Sequence, residues 1–159
     1  MLNWKEIVDE YYALDWKLVM PPGAELSVLT DVANLLGVEF PEEFMCLYSS
    51  MNGFGGTYDG EVIEWAAVPI EEIPAFAEST RTWFGKTHSN VAKRFIPFFD
   101  WHCGDATGYL LDEQGEVLPS LRTFFHEEYH FDSAQTYDEF LVEDQVTIHN
   151  FLAQWPYIE

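Results

Sequence analysis

A five-residue segment in the last third of the sequence has the spacing of a zinc-hydrolase motif. Residues 126–130 read His-Glu-Glu-Tyr-His and satisfy H-E-x-x-H, in which two histidines one helical turn apart bind Zn²⁺ and the glutamate is a general base. That chemistry requires a helix, yet the flanking residues 123–125 and 129–132 are β-prone aromatics and turn formers. We therefore rank a zinc-dependent hydrolase last among the candidate functions. We expect His126 to be a partly buried histidine hydrogen-bonded to a carboxylate.

A catalytic zinc site also needs a third protein ligand. Glu139, Glu143 and His149 are candidates, but no recognisable second motif accompanies them. We therefore expect no catalytic residue, no metal and no other cofactor.

The two cysteines raise the question of a thiol nucleophile. His102 and Cys103 are adjacent and close to Asp105, and a thiolate activated by an imidazole is a known catalytic pair. Adjacent residues on a strand point to opposite faces, so the pair needs a turn to come together. We interpret His102 and Cys103 as structural residues between two strands, and Cys46 as a small core residue of a helix.

Residues 52–56, Asn-Gly-Phe-Gly-Gly, have the glycine content of a phosphate-binding loop. They follow a predicted helix instead of leading from a strand into one, and the Walker lysine is missing. The sequence also lacks a basic stripe with interleaved aromatic residues. These features argue against phosphate-loop and nucleic-acid-binding functions.

The charge of the chain is strongly one-sided, with 28 Asp and Glu against 7 Lys and Arg and a net charge of −21. Such a surface repels nucleic acid and anionic membranes. Repulsion among like charges also weakens the folded state, so a cationic protein partner would give this composition a benefit. A merely acidic soluble protein has the same composition, and charge alone does not separate the two interpretations.

Four of the seven basic residues lie within residues 81–94, a stretch that contains no carboxylate: Arg81, Lys86, Lys93 and Arg94. We interpret this stretch as a solvated loop or helix face, with a separate contact surface as the alternative.

Length and composition indicate one folded domain over residues 1–159, since 48% of the residues are apolar and 17% aromatic. Two cysteines are too few for the disulfide framework of a small secreted domain. The first ten residues lack the features of a signal peptide, and no stretch approaches the ~18 apolar residues of a membrane span. We expect a cytoplasmic protein.

Apolar periodicity predicts helices at both ends of the chain. The first begins near Trp4 and ends before Pro21, the second spans residues 26–36 with Gly37 as its cap, and the third begins at Pro41. Residues 70–84 are also predicted to be helical. A capping box at residues 136–139 predicts that a closing helix begins there.

The middle of the chain predicts strands. Residues 61–68, 95–101, 107–111 and 116–118 form short β-prone runs, and a further strand is expected at residues 122–126. Asn52 and Gly53 should end the third helix, with Gly55 and Gly56 extending the turn. Pro97 should occupy an edge or a bulge. The predicted fold is α+β: one domain with a central, mostly antiparallel sheet, flanked by N-terminal helices and a C-terminal helix.

These elements, in this order, resemble the SUKH superfamily, which includes the fungal Smi/Knr cell-wall-synthesis regulators and many bacterial immunity proteins. Three ordered motifs carry the resemblance. They are residues 36–44 with residues 51–56; residues 95–98 and 104–105 with Tyr109, Leu111 and Asp112; and Phe124, His126 and Glu127 with residues 140–141.

The resemblance implies a non-catalytic protein-binding domain and, as the first candidate, an immunity protein that occludes the cationic cleft of a nuclease-type toxin with its acidic surface. A regulatory or scaffold protein of the same fold is the alternative. The expected partner surface surrounds the Asn-Gly turn and the meander, with aromatic anchors among its acidic residues. It comprises Glu42, Glu43, Phe54, Tyr58, Asp59, Glu61, Glu64, Asp100, Trp101 and Asp105.

Overall fold

One seven-stranded antiparallel sheet organises the structure, a computed structural model that describes residues 2–11, 17–58 and 62–154. Each strand pairs with the next one in the chain, so the sheet is a meander from β1 to β7. The strands are β1 (Lys17–Val19), β2 (Phe54–Tyr58), β3 (Val62–Ala67), β4 (Phe95–Asp100), β5 (Ala106–Leu111), β6 (Val117–Phe124) and β7 (Leu141–Glu143).

Six α-helices accompany the sheet within the described residues. They are α1 (Trp4–Tyr11), α2 (Leu26–Leu36), α3 (Glu42–Ser50), α4 (Ile73–Arg81), α5 (Ser89–Ala92) and α6 (Ile148–Ala153). Short 3₁₀ turns occupy Ile70–Glu72, His126–Glu128 and Tyr137–Glu139. The predicted α+β class with a central antiparallel sheet is confirmed.

The sheet is covered on both faces. Tyr109 and Leu111 of β5 belong to a large apolar cluster with residues of α1, α2, α3 and α6, which we call the major core. Leu110, between them, belongs to a second cluster with Phe84, Phe95, Phe124 and Phe140, which we call the minor core. Successive strand residues point to opposite faces, so the two cores lie on opposite sides of the sheet. All residues of β5 are buried.

Pro97 lies in β4, between β3 and β5, and not at an edge of the sheet. The register of the β4–β5 ladder shifts between Pro97 and Phe99. A bulge leaves one residue outside the regular pairing, so a proline is tolerated there although it has no N–H to donate. The bulge alternative of the prediction is confirmed.

The helices predicted from apolar periodicity are largely confirmed. α2 ends at Gly37, whose backbone is left-handed with φ 68°. α3 follows Pro41 and buries Phe44, Leu47 and Tyr48, and Met51 directly after it is buried as well. The helical prediction for residues 70–84 is met by a 3₁₀ turn followed by α4.

Four predicted boundaries are wrong, each because strand pairing overrides the local pattern. Residues 17–19, predicted within the first helix, form edge strand β1, and Gly55 and Gly56, predicted as a turn, pair within β2. Residues 117–124 form one continuous strand instead of two. The predicted closing helix at residues 136–139 is a 3₁₀ turn, because β7 must follow it and pair with β6.

The predicted capping box at residues 136–139 does not form. Thr136 makes no side-chain capping bond. Thr147 begins the closing helix α6, and its hydroxyl accepts a hydrogen bond from the Asn150 N–H at 3.0 Å. Apolar Leu141 therefore lies in β7, whereas Ile148, Phe151 and Leu152 lie in α6.

Asn52, shortly after α3, is hydrogen-bonded to the 3₁₀ turn that precedes α4. The Asn52 Oδ1 accepts from the Ile70 N–H at 2.7 Å, and its Nδ2 donates to Glu71 Oε2 at 2.8 Å. Gly53 has φ 81° and is packed so closely that a Cβ would lie 2.5 Å from the Ala67 carbonyl oxygen. The Asn-Gly motif therefore has a structural role in this fold.

We predict that Gly53→Ala destabilises the protein far more than Gly115→Ala. Both glycines have positive φ, 81° and 84°, so each alanine loses about 1–2 kcal/mol to left-handed strain. Only Gly53 would also clash with backbone, since nothing lies within 4 Å of a Cβ at Gly115. Urea unfolding of the two variants is the measurement, and equal losses of stability would contradict the packing described here.

A second prediction concerns alkaline pH. Burial, and then the neighbouring charge of Glu43, raise the pKa of Tyr109 well above its usual value. The unfolded chain loses this proton near pH 10 while the folded protein keeps it, so the free energy of unfolding falls as pH rises above about 10. Tyr109→Phe should reduce that decline by up to about 1.4 kcal/mol per pH unit, measured by urea unfolding between pH 9 and 11. Parallel curves for the two proteins would refute the prediction.

Candidate functional site

The residues predicted to bind a partner are distributed over several elements. Glu42 and Glu43 lie in the first turn of α3, Glu64 lies on β3, and Asp100, Trp101 and Asp105 lie at or beside the ends of β4 and β5. Tyr58 ends β2, and Asp59 and Glu61 lie outside the described residues.

The expectation that Phe54 is an exposed aromatic anchor is wrong. Its side chain is fully buried in the major core. Its ring makes an edge contact with Phe99 at a centroid separation of 6.2 Å. A partner could reach Phe54 only if β2 left the sheet, so Phe54 is a core residue.

Two neighbouring glutamates of α3 have different roles. Glu42 is exposed. Glu43 is half-buried and its carboxylate accepts from the backbone N–H groups of Ile148, at 2.6 Å, and His149, at 3.3 Å. These are orphan donors at the first turn of α6, and a carboxylate satisfies them while complementing the positive end of the helix. Glu43 therefore fastens the last helix to α3.

Trp101 is half-buried, and its indole N–H donates to Thr107 Oγ1 at 2.9 Å. Thr107 and Thr123 are fully buried, and their hydroxyls are 2.7 Å apart across the β5–β6 pair. Thr123 in turn donates to Asp144 Oδ2 at 2.7 Å. This chain of hydrogen bonds fixes Trp101 against the sheet, so the residue contributes to the fold as well as to any contact surface.

An open groove of about 400 Å³ lies between β3, α4 and the β4–β5 loop. Its apolar lining includes Ile63, which is 41% exposed, and the half-buried Trp65 and Phe76. Glu72 and Asp100 supply carboxylates on the same lining. Apolar side chains beside carboxylates suit a partner that presents cations around an apolar group.

The loop between β4 and β5 is held by hydrogen bonds on two sides. On the groove side, the His102 Nε2 lies 2.7 Å from the Trp65 carbonyl oxygen, and the His102 N–H donates to Asp100 Oδ1 at 2.8 Å. On the other side, Asp105 Oδ1 lies 2.6 Å from His126 Nδ1 and accepts from the His126 backbone N–H at 2.9 Å. His126 is therefore a partly buried histidine bonded to a carboxylate, as predicted.

The H-E-x-x-H segment lacks the helix that zincin chemistry requires. Residues 126–128 form a 3₁₀ turn, and Tyr129 is extended. His130 is exposed, and its backbone N–H donates to Gln135 Oε1. The spacing of the motif therefore does not place its two histidines on one helical face.

The sequence analysis did not predict that His126 lies beside Cys103. The adjacent His102 points instead to the Trp65 carbonyl. The structure brings Cys103, Asp105 and His126 together, with one potential ligand atom of each within 4.8 Å of the others.

The predicted burial of Cys46 is wrong, because this side of α3 faces solvent. Both cysteines are exposed and free.

The basic stretch of residues 81–94 is ordered and partly structural. Arg81 Nε donates to the Phe95 carbonyl at 3.0 Å, and Arg94 Nη1 donates to the Leu111 carbonyl at 2.6 Å. Partial burial lowers the pKa of Arg81 through desolvation. Lys86 and Lys93 are exposed. Two of the four cations therefore hydrogen-bond to backbone carbonyls of β4 and β5.

Most carboxylates of the described residues have no cationic neighbour. Both ion pairs formed within residues 2–11, 17–58 and 62–154 join a histidine to an aspartate, His102 to Asp100 and His126 to Asp105. No Lys or Arg side chain there pairs with a carboxylate. The carboxylates in excess that give the formal charge of −21 therefore include many that form no ion pair within the described part of the chain.

These features define a class: an acidic α+β protein with a seven-stranded antiparallel meander and an acid-lined apolar groove. No helix of the described residues has the length and apolarity to cross a bilayer.

The sequence matches the SMI1 / KNR4 family (SUKH-1) over residues 23–143. This match covers more than half of the chain, so the chain belongs to that family. The family is generally non-catalytic and typically a protein-interacting domain. No curated protein matches the sequence significantly.

We predict that Glu43→Ala destabilises the protein by about 1–3 kcal/mol, because two backbone donors of α6 lose a charged acceptor. Glu42→Ala, on the same helical turn but exposed, should change stability by less than about 0.5 kcal/mol. Thermal or urea unfolding of the two variants measures the difference. Similar effects of both substitutions would show that Glu43 does not fasten α6.

Proposed function

We propose that this protein is an immunity protein that binds a cationic toxin, of nuclease type, and occludes its active cleft. The observation that carries the proposal is the groove beside α4, where the exposed apolar Ile63 and the half-buried aromatics lie beside the carboxylates of Glu72 and Asp100. Family membership supports a protein-binding role. The toxin and its class are the part that we propose.

The charge of the chain gives the binding a physical mechanism. A nuclease that grips a polyphosphate backbone carries a cationic cleft, and a partner with a net charge of −21 attracts it over long range. Such steering raises the association rate, whereas buried apolar contacts set the lifetime of the complex. The groove offers both kinds of contact in one place.

The proposed surface differs from the one predicted from the sequence. Asp100 remains in it, and Ile63, Trp65, Glu72 and Phe76 join it. Glu42, Glu64, Trp101 and Asp105 remain candidates for a wider rim, as do Tyr58, Asp59 and Glu61 from the sequence. Phe54 is excluded by its burial and Glu43 is committed to α6.

A regulatory or scaffold role is the second candidate, because the same family includes proteins of both kinds. Its binding surface would be the same groove, but its partner would lack toxicity. Growth rescue separates the two: coexpression with the toxin encoded beside this gene should restore growth only if the chain is an immunity protein.

The direct test compares Glu72→Lys with Glu113→Lys, which change the net charge equally. Glu113 is exposed in the turn between β5 and β6, at the far end of β5 from the β4–β5 loop. We expect Glu72→Lys to slow association with the toxin several-fold at low salt, and Glu113→Lys to change it much less. Stopped-flow mixing between 50 and 500 mM NaCl measures the association rate of each variant. The difference between each variant and the wild-type protein should shrink as salt rises.

The apolar part of the groove has its own matched pair. Ile63→Ala should speed dissociation by about 5- to 30-fold, because about 1–2 kcal/mol of apolar burial is lost from the complex. Leu35→Ala, an exposed residue on α2, should leave dissociation unchanged. Binding at the groove would be contradicted if Glu72→Lys and Glu113→Lys had equal effects, or if Ile63→Ala and Leu35→Ala had equal effects. The immunity function would be contradicted if the protein neither bound the toxin nor restored growth.

A further inference from the structure

We propose that Cys103, Asp105 and His126 form a binding site for a thiophilic divalent cation of the Zn²⁺ class. A thiol, a carboxylate and an imidazole lie with one ligand atom each within 4.8 Å of the others. The site is separate from the H-E-x-x-H spacing, of which it uses only the first histidine. It does not depend on the immunity function.

The ligand set is chemically selective. Thiolate and imidazole together favour Zn²⁺ over the hard cations Mg²⁺ and Ca²⁺, which prefer oxygen ligands. Three protein ligands leave one tetrahedral position for water. Cys103 is exposed whereas Asp105 and His126 are half-buried, so an ion can enter from solvent onto a partly fixed pair of ligands.

The backbone around Cys103 is shaped to approach the histidine. Residues on both sides of Cys103 have positive φ, 58° at His102 and 104° at Gly104. A Cβ at Gly104 would lie 3.0 Å from His126 Nδ1 and 3.2 Å from its Cγ. Glycine therefore allows the loop to lie directly against the imidazole ring, which brings Cys103 within reach of it.

The imidazole is also held in place from its other sides. Asp105 Oδ1 accepts from the His126 backbone N–H and contacts ring atom Nδ1. The indole of Trp83 packs against the ring at a centroid separation of 5.4 Å. A ligand that is already oriented loses less conformational freedom when the metal binds.

Metal binding requires only a small rearrangement. The Asp105 and His126 atoms, 2.6 Å apart, must separate to about 3.3 Å if both ligate at about 2.0–2.1 Å in tetrahedral geometry. The exposed Cys103 side chain closes the remaining distance from 4.8 Å or less.

The test is Co²⁺ and Zn²⁺ titration of the reduced full-length protein. Co²⁺ bound by a thiolate absorbs in the near ultraviolet through ligand-to-metal charge transfer, and this absorption reports the sulfur ligand directly. We expect one equivalent of Co²⁺ to produce the band and one equivalent of Zn²⁺ to abolish it by displacement.

The cysteines provide a matched pair of variants. Cys103→Ser should abolish the charge-transfer band. Loss of a residue that only orients a ligand weakens metal binding by about 10- to 100-fold. Because Cys103 is itself a ligand, Cys103→Ser should weaken Zn²⁺ binding by more than that. Cys46→Ser, also at an exposed free cysteine, should leave both unchanged. Both positions face solvent, so both variants should fold.

His126→Gln and His130→Gln separate the proposed site from the zincin motif. His126→Gln should weaken Zn²⁺ binding as Cys103→Ser does, and the exposed His130→Gln should not. The proposal is overturned if the wild-type protein gives no Co²⁺ band. It is equally overturned if Cys103→Ser retains Zn²⁺ affinity, or if Cys46→Ser or His130→Gln loses it.

Discussion

The structure depends on burying both faces of the β4–β5 pair. All residues of β5 are buried, and the adjoining β4 sends Phe95 to the minor core and Ile96 to the major core. A sheet that is apolar on both faces needs a layer on each side, and one set of helices covers only one side. The chain therefore places α1, α2, α3 and α6 on one face and uses the segments around Phe84 and Phe140 to cover the other.

This constraint explains why some conspicuous motifs are structural. Asn52 and Gly53 close the junction through which α3 meets the 3₁₀ turn before α4. Glu43 fastens α6, which adds Phe151 to the major core. Asn52 and Glu43 lie within the motifs that carry the family resemblance, and each makes a contact that holds the fold together. The proposed partner surface uses other residues, at the groove beside α4.

The sequence predicts the fold best where one pattern decides the local structure. α2 and α3 follow from apolar periodicity and from Gly37 and Pro41 at their ends, and the strands from β3 to β6 follow from β-prone runs separated by turns. Prediction fails at β2, whose glycines predict a turn, and at β1 and β7, the two edge strands of three residues each. Such short strands form because a neighbour offers unpaired backbone groups, and that neighbour is distant in the sequence.

The candidate site was harder to predict for the same reason. Sequence adjacency paired Cys103 with His102, but the backbone at His102 has positive φ and turns that side chain toward Trp65. His126 reaches Cys103 only because β5 pairs with β6 and places the start of one beside the end of the other. Burial of Phe54 was equally hidden, since a glycine-rich neighbourhood is as compatible with a strand as with a turn.

The β4–β5 loop links the two proposals physically. His102 and Asp100 line the groove, while Cys103 and Asp105 on the same loop face His126. A cation that fixes Cys103 and Asp105 restricts the backbone that positions His102 and Asp100. Two ligands that order the same segment favour each other's binding, and the coupling is reciprocal by thermodynamic necessity. If both ligands restrict this loop beyond the hydrogen bonds that already hold it, a bound cation raises the affinity for the partner, and a bound partner raises the affinity for the cation by the same factor.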